Sequence, residues 1–214
     1  MTFQQIMLEC IDLRFGTTDV RPTQVKRAIN AAYAHVWNAA DWSFKRVAAA
    51  NLTVTSGDET PTVPTDFGKS RAVFDQFGSQ LEYLPATEFE ADYMVGTITS
   101  GSPEAYTIID RQVYLGPRPG TAATFKLSYD RRICHLATGS VVTPSPMTVD
   151  TDVPLWGPEH HYILVPATFI VGADGRGLPA TPSDQAEYDR QLAAMKNDLI
   201  GTMVGEPVFW GAAC

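Results

Sequence analysis

Apolar residues in the segment 25–46 recur at the spacing of an amphipathic helix. Their separations are four, three, four and four positions, at Val25, Ile29, Ala32, Val36 and Ala40. Positions three and four apart share one face of a helix, so these side chains form a single apolar stripe. Pro22 suits the first turn, where no backbone N–H bond is lost. The segment therefore predicts a central helix.

Aromatic residues are concentrated in the same segment. Tyr33 and Trp37 widen the apolar stripe, and Trp42 and Phe44 follow where the helix should end. A buried aromatic side chain removes ~150–250 Å² from water. We therefore expect Tyr33, Trp37, Trp42 and Phe44 to anchor the core. None of the side chains here suggests chemistry.

Capping signals and periodicity predict further helices over residues 3–14, 159–173 and about 182–204. Thr2 and Gln5 have the form of a capping box before the first of these, and Thr181 and Asp184 have it before the last. Pro166 should kink the middle helix or split off its first turn.

Short alternating segments replace the helical pattern in the middle of the chain. They predict strands over residues 51–55, 70–74, 81–84, 106–109, 112–115 and 124–131. The clearest signal is the pair of strands joined by a tight turn at Asp110-Arg111. Strands at such close spacing, separated by Gly and Pro, indicate a small antiparallel sheet or sandwich.

The order of these elements predicts an α+β fold. In this prediction the N- and C-terminal helix pairs form a helical bundle, and an antiparallel β module is inserted between them. The ranges are 1–46 and 157–205 for the bundle, 47–134 for the β-rich insertion, 135–156 for a long loop and 206–214 for a C-terminal tail. A loop above ~12–15 residues is usually functional or mobile.

Composition and charge narrow the class of protein. Apolar residues make up 44% of the chain and charged residues 19%, which suits a folded globular protein. The net charge of −8, from 16 basic and 24 acidic residues, argues against a protein that grips nucleic acid through phosphate contacts. The same charge permits a wall that DNA slides past.

Cysteine content and hydropathy indicate the cellular compartment in which the protein is made. Cys10, Cys134 and Cys214 are too few, and odd in number, for a secreted disulfide framework. The N-terminal segment lacks the basic start of a signal peptide, and no apolar run approaches the ~18 residues of a membrane span. We expect a soluble protein made inside the cell, with no membrane partner.

Three small clusters contain residue types that can bind metal ions or act as nucleophiles. They are Glu159-His160-His161, Cys134-His135 and the pair Asp150 and Asp152. Adjacent histidines on a helix point about 100° apart and cannot readily share a metal ion, and neighbours on a strand face opposite ways. The two aspartates lack a calcium-loop pattern. With no Walker, dinucleotide or G-x-S-x-G motif present, we predict no enzyme, no cofactor and no metal.

The tail carries two large aromatic residues, Phe209 and Trp210. A chain end would normally fray, so such side chains either fold back onto the core or dock on a partner. The sequence leaves both alternatives open.

Five local phrases, together with the order of elements, form one further pattern. They are Ala31-Ala32-Tyr33 through Asp41-Trp42-Ser43-Phe44, Pro64-Thr65-Asp66-Phe67, Tyr114-Leu115-Gly116-Pro117-Arg118-Pro119, Asp152-Val153-Pro154-Leu155-Trp156, and Met195-Lys196-Asn197-Asp198-Leu199. Together they resemble the head-to-tail adaptor proteins of tailed bacteriophages and gene transfer agents, over roughly residues 3–204.

The resemblance implies a structural protein in the neck of the virion, made in the host cytoplasm. Such proteins form a homo-oligomeric ring, typically of twelve copies, under the portal protein. The ring extends the DNA channel, lets DNA pass without specific binding, and docks the stopper or tail-completion protein. In that family the C-terminal part often reaches into the portal, which would assign portal binding to Glu206, Pro207, Val208, Phe209 and Trp210.

A free-standing virion module that binds a receptor or a carbohydrate is the alternative. The β block would then supply stacking faces, at Tyr83, Tyr93, Tyr106, Tyr114 and Tyr129. Assembly state separates the two, because an adaptor should need its portal to form a ring whereas a binding module should work alone.

Overall fold

A computed structural model describes residues 1–14, 22–95, 100–137, 141–172 and 180–200. Within these residues the α-helices are α1 (Phe3–Arg14), α2 (Pro22–Asn38), α3 (Ala86–Phe89), α4 (Leu164–Gly172) and α5 (Pro182–Leu199). The strands are β1 (Arg46–Val54), β2 (Phe67–Phe74), β3 (Glu82–Tyr83), β4 (Ser100–Gly101), β5 (Ala105–Ile109), β6 (Gln112–Gly116), β7 (Arg118–Pro119), β8 (Ala123–Arg131), β9 (His135–Ala137), β10 (Val141–Thr143) and β11 (Val153–Pro154). Single 3₁₀ segments lie at Ser43–Lys45 and Pro158–Ile163, and a π-helical turn follows α3 at Glu90–Met94.

The chain divides into two compact units. One is Met1–Phe44 with Ile133–Cys214, called here the helical unit, and the other is Lys45–Arg132, the strand unit. Each unit has its own cluster of buried apolar side chains.

In the helical unit, α4 packs against α1, α2 and α5. Its side chains are almost all apolar, and Leu164, Val165, Ala167 and Phe169 are buried. A helix that is apolar on every side has to be enclosed by other elements. The 3₁₀ segment runs directly into α4, so the turn before Pro166 is split off as the sequence predicts.

The predicted helix starts are confirmed where hydrogen bonds are described. Thr181 Oγ1 accepts from the Asp184 N–H at 3.3 Å, and the Asp184 carboxylate accepts from the Thr181 N–H at 2.7 Å. Thr2 and Gln5 make the same reciprocal pair, at 3.3 and 2.8 Å. Each box satisfies N–H groups that the first turn of a helix leaves without partners.

The described residues of the strand unit form three small sheets. Their strand orders are β1-β8-β2, β3-β5-β6 and β4-β7. The first is antiparallel throughout, and it buries Leu52, Val73 and Leu127 from its three strands. The predicted hairpin is confirmed, since β5 and β6 pair antiparallel around Asp110 and Arg111, whose φ angles are 50° and 63°. Positive φ at both central residues matches the twist of a hairpin.

The prediction of a helical bundle with one inserted antiparallel β module is wrong. The fold is α+β, but its β content is large and extends beyond the insertion, because β9, β10 and β11 form a further sheet in the helical unit. Two pairs, β3–β5 and β4–β7, are parallel. The bundle is only loosely matched, since α4 spans nine residues and is preceded by a 3₁₀ segment. Strands of two or three residues are too short to show an alternation of polar and apolar side chains. For this reason the sequence of residues 135–156 predicts a loop.

Candidate interaction surfaces and buried polar sites

The predicted core anchors lie together in the helical unit. Tyr33, Trp37 and Trp42 are buried, and Phe44 is partly buried against them. Trp156 joins this group, with its ring stacked on Tyr33 at a centroid distance of 4.7 Å and 5.5 Å from Phe44. Trp156 was not predicted as an anchor, although its apolar setting beside Leu155 was a signal for it.

The Tyr33 hydroxyl holds two distant backbone segments. It donates to the Cys134 carbonyl oxygen at 2.6 Å and accepts from the Leu155 N–H at 3.1 Å. Burial raises the pKa of this phenol well above its ordinary value. A phenol kept neutral can both donate and accept, so one side chain on α2 fixes both ends of the 134–155 interval.

Asn30 holds the middle of the same interval. Its side-chain amide donates to the Met147 carbonyl oxygen at 2.9 Å and accepts from the Met147 N–H at 3.0 Å. Asn30 was not predicted as a structural residue, and its signal in the sequence was only an amide three positions before Tyr33 on the same helix. Together, Asn30 and Tyr33 make α2 the surface that holds Cys134, Met147 and Leu155.

The two aspartates weighed for calcium have separate structural partners. Asp152 is buried, and its Oδ2 accepts from the Thr148 and Val149 N–H groups at 2.7 and 2.8 Å. Asp150 is partly exposed and pairs with Lys26 at 2.5 Å. The Asp152 oxygen is thus committed to closing a turn rather than open to an ion.

The adjacent histidines face different partners. His161 Nε2 lies 2.8 Å from the Trp156 carbonyl oxygen, and its Nδ1 lies 2.6 Å from the Met1 amino nitrogen. Burial lowers the pKa of His161, so the neutral ring donates through Nε2 and accepts at Nδ1. His160 instead lies 3.4 Å from an Asp198 carboxylate oxygen. The two rings do not converge on one point.

Thiol chemistry finds no support at the described cysteines. Cys10 and Cys134 are both buried, and burial raises the pKa of the Cys10 thiol to about 12. A thiol that stays protonated is a poor nucleophile and a poor ligand. Among the residues described, no group of three or more His, Cys, Asp or Glu side chains is placed to hold a metal ion.

The tyrosines proposed as stacking faces do not form one platform. Tyr106 and Tyr129 are buried, and the Tyr129 hydroxyl donates to Asp66 at 2.7 Å. Tyr83 is the half-exposed member and meets Tyr106 edge-on, with ring centroids 5.5 Å apart. A sugar face needs rings open to solvent, so burial of two members weakens the binding-module alternative.

Each unit exposes large apolar side chains. In the helical unit these include Leu8, Leu13, Val149 and Tyr162, and in the strand unit they include Phe77, Tyr83 and Val95. The five tail residues Glu206, Pro207, Val208, Phe209 and Trp210 lie outside the described residues. Single exposed apolar residues are common, but aromatic ones on fixed turns are candidates for partner contacts.

A comparison with protein-family models gives a match over residues 1–207, to the family described as SU10 adaptor protein. The match covers nearly the whole chain. The chain belongs to the SU10 adaptor protein family. A search of curated proteins finds no match.

The SU10 adaptor family confirms the resemblance found in the sequence. Membership of this family means that the chain is a structural adaptor protein of a phage, located in the virion and in contact with other head or tail proteins. A structural adaptor family suggests a protein that is not an enzyme. In the part of the adaptor that the structure describes, no helix combines the length and apolarity that crossing a membrane requires.

Proposed function

We propose that copies of this chain form a ring beneath the portal, extend its DNA channel and dock the stopper or tail. The family match over residues 1–207 carries the proposal, since it identifies a phage adaptor along nearly the whole chain. We propose twelve copies in this ring, the number typical of the adaptors that the sequence resembles. Multivalent contacts in a ring would make individually weak contacts effective.

The charge distribution supports a conduit through which DNA moves. The chain carries a net charge of −8, and the interval 72–110 holds seven acidic residues and no lysine, arginine or histidine. Acidic side chains repel phosphates, so a wall that contains them would not retain DNA. Reversal of charge at Glu88 and Glu90 should therefore increase retention of DNA by assembled rings.

The tail is proposed to dock on the portal. In the sequence Pro207 is followed closely by two aromatic residues, which would offer large apolar area to a pocket. Phe209 and Trp210 would act as the anchors of this contact, and Glu206, Pro207 and Val208 precede them in the same segment.

Co-sedimentation of the purified adaptor with the portal of the same particle tests this function. We expect a closed ring, with a fixed number of adaptor copies per portal, only when the portal is present. An adaptor that does not co-sediment with the portal would contradict the proposal and favour a distal role in the tail.

Deletion of residues 206–214 tests the tail assignment. We expect the deletion to abolish portal docking while the helical unit keeps its unfolding transition. Deletion of residues 211–214 is the matched control, because it shortens the tail and leaves both aromatics in place. Normal docking on the portal by the variant that lacks residues 206–214 would refute the assignment.

A further inference from the structure

Basic side chains gather on the outward face of the sheet β1-β8-β2. Leu127 of β8 lies in the apolar cluster of the strand unit. Lys126 and Asp130 therefore lie on the other face of this strand, because neighbouring positions alternate. Opposite Asp130 in the register are Arg46 of β1 and Lys69 of β2, and residues paired in this way share a face.

A fourth basic side chain joins this face through a hydrogen bond. The Arg71 guanidinium donates to Asp130 Oδ1 at 2.6 Å. Lys69, Arg71 and Lys126 are exposed. Arg46, Lys69, Arg71, Lys126 and Asp130 are called here the basic face. Four cations beside one anion make this face positive, although the chain as a whole carries a net charge of −8.

The sheet β3-β5-β6 has its own outward face, which two aromatic rings cover. A Cβ added at Gly116 of β6 would come within 2.8 Å of both Phe89 and Tyr93. The preceding residue, Leu115, lies in the same apolar cluster as Leu127, so the covered face is the outward one. Two sheets that share one core turn their outward faces to different sides of the unit.

Three carboxylates surround Tyr93 on this second side. The Tyr93 hydroxyl donates to Glu104 Oε1 at 3.5 Å. Burial raises the pKa of Tyr93, and the charges of Glu104, Asp92 and Glu82 raise it further. Glu82, Asp92 and Glu104 are all exposed, and they are called here the acidic cluster. Glu88 and Glu90, which are proposed to meet DNA, lie outside it.

We propose that, within the ring, the basic face of each copy docks on the acidic cluster of the next copy. This inference rests on the proposed function and names the contact between neighbours. A subunit in a ring meets its two neighbours through unlike surfaces, so it needs two complementary surfaces on different sides. The strand unit carries both. DNA would match the basic face alone and would leave the acidic cluster without a role.

The net charge of each copy does not prevent this contact. At physiological ionic strength, charges further apart than about 8 Å are largely screened, whereas the two surfaces would meet directly. Opposite charges across an interface also fix its register and disfavour wrong pairings. Two copies that met through the same surface would bring lysine against lysine or glutamate against glutamate. The charges therefore favour a ring over a two-fold dimer.

Charge reversal tests the contact during assembly on the portal. Lys69→Glu with Lys126→Glu should lower the fraction of portals that carry a closed ring at least about tenfold, because like charges would then face each other. Glu82→Lys with Asp92→Lys should do the same. A chain with all four substitutions should form rings again, since its two surfaces have exchanged their charges. Electron microscopy of the co-sedimented particles counts the rings.

A matched control separates this contact from the effect of total charge. Glu88→Lys with Glu90→Lys changes the net charge by the same amount as the reversal of the acidic cluster, and it lies in the same unit. Its rings should form normally.

Carbodiimide cross-linking gives a second readout on the unaltered chain. The reagent joins an amine directly to a carboxylate. In rings assembled from isotopically labelled and unlabelled copies, we expect cross-linked peptides in which Lys69 or Lys126 of one copy is joined to Glu82, Asp92 or Glu104 of another.

The outcomes distinguish this contact from the proposed function. Absence of rings from the unaltered chain on the portal would contradict the proposed function, and this contact with it. Normal rings from either reversed pair, a folded four-fold variant that forms no ring, or rings without these cross-links would overturn the contact alone. Intact rings that retain less DNA when Lys69 and Lys126 are reversed would also overturn it, and would assign the basic face to DNA.

Discussion

His135 and Asp152 face each other inside the helical unit, with 3.3 Å between Nε2 and Oδ2. Only 3% of the histidine side chain and 2% of the aspartate side chain are exposed. The same carboxylate oxygen closes the turn at residues 148–152, and His135 Nδ1 lies 2.8 Å from the Ser145 carbonyl oxygen. The pair therefore joins β9 to the segment that precedes β11.

Asp152→Ala should destabilise the protein by about 2–4 kcal/mol, because it leaves buried N–H groups without an acceptor and His135 without its partner. The free energy of unfolding in urea measures this. Asp150→Ala is the matched control. Its ion pair with Lys26 is 48% exposed on the aspartate side, so we expect a loss below about 1 kcal/mol. Equal losses for the two variants would contradict the assignment.

Tyr33→Phe removes one oxygen atom and keeps the aromatic packing. We expect a loss of about 1–3 kcal/mol in unfolding free energy, because the Cys134 carbonyl and the Leu155 N–H both lose a buried partner. Tyr162→Phe is the control, since its hydroxyl lies 3.5 Å from Glu9 at an exposed site. Hydrogen exchange should show faster opening of the Leu155 amide in Tyr33→Phe alone.

His161 should make stability depend on pH. Burial lowers its pKa below the ordinary value of 6.5, the hydrogen bond to the Trp156 carbonyl oxygen raises the pKa in part, and the charge of the Met1 amino group lowers it. As pH falls through 6.5 the unfolded chain binds a proton that the folded chain resists, so stability is present above this pH and is lost below it. His161→Gln should flatten the slope of unfolding free energy between about pH 7 and 5. Identical slopes in the two proteins would exclude this role.

Gly68 lies where β2 approaches the chain after β8. A Cβ there would come within 2.7 Å of the Arg132 nitrogen and 2.8 Å of the Asp130 carbonyl oxygen. Backbone atoms cannot move aside cheaply, so Gly68→Ala should cost about 1–3 kcal/mol. Gly120→Ala is the control, because its added methyl meets open space. Thermal unfolding of the two variants tests the difference, and a Gly68→Ala protein as stable as the control would contradict it.

Features that depend on near neighbours in the chain could be predicted from the amino-acid pattern. The capping boxes at Thr2 and Thr181, the hairpin at Asp110-Arg111 and the split at Pro166 each involve residues a few positions apart. Their hydrogen bonds and dihedral preferences are local, so composition and spacing suffice to predict them. Family membership was also readable, from short phrases spread along the chain.

The conformation of residues 135–156 could be seen only in the tertiary structure. The strands of this interval pair with one another, β9 with both β10 and β11, and α2 holds the interval from outside, where the Tyr33 hydroxyl meets the Leu155 N–H across 122 positions of sequence. Its strands are too short for alternation to appear, and the burial of Asp152 depends on contacts that no local pattern encodes. The division into two cores has the same origin, since each core joins side chains from distant segments.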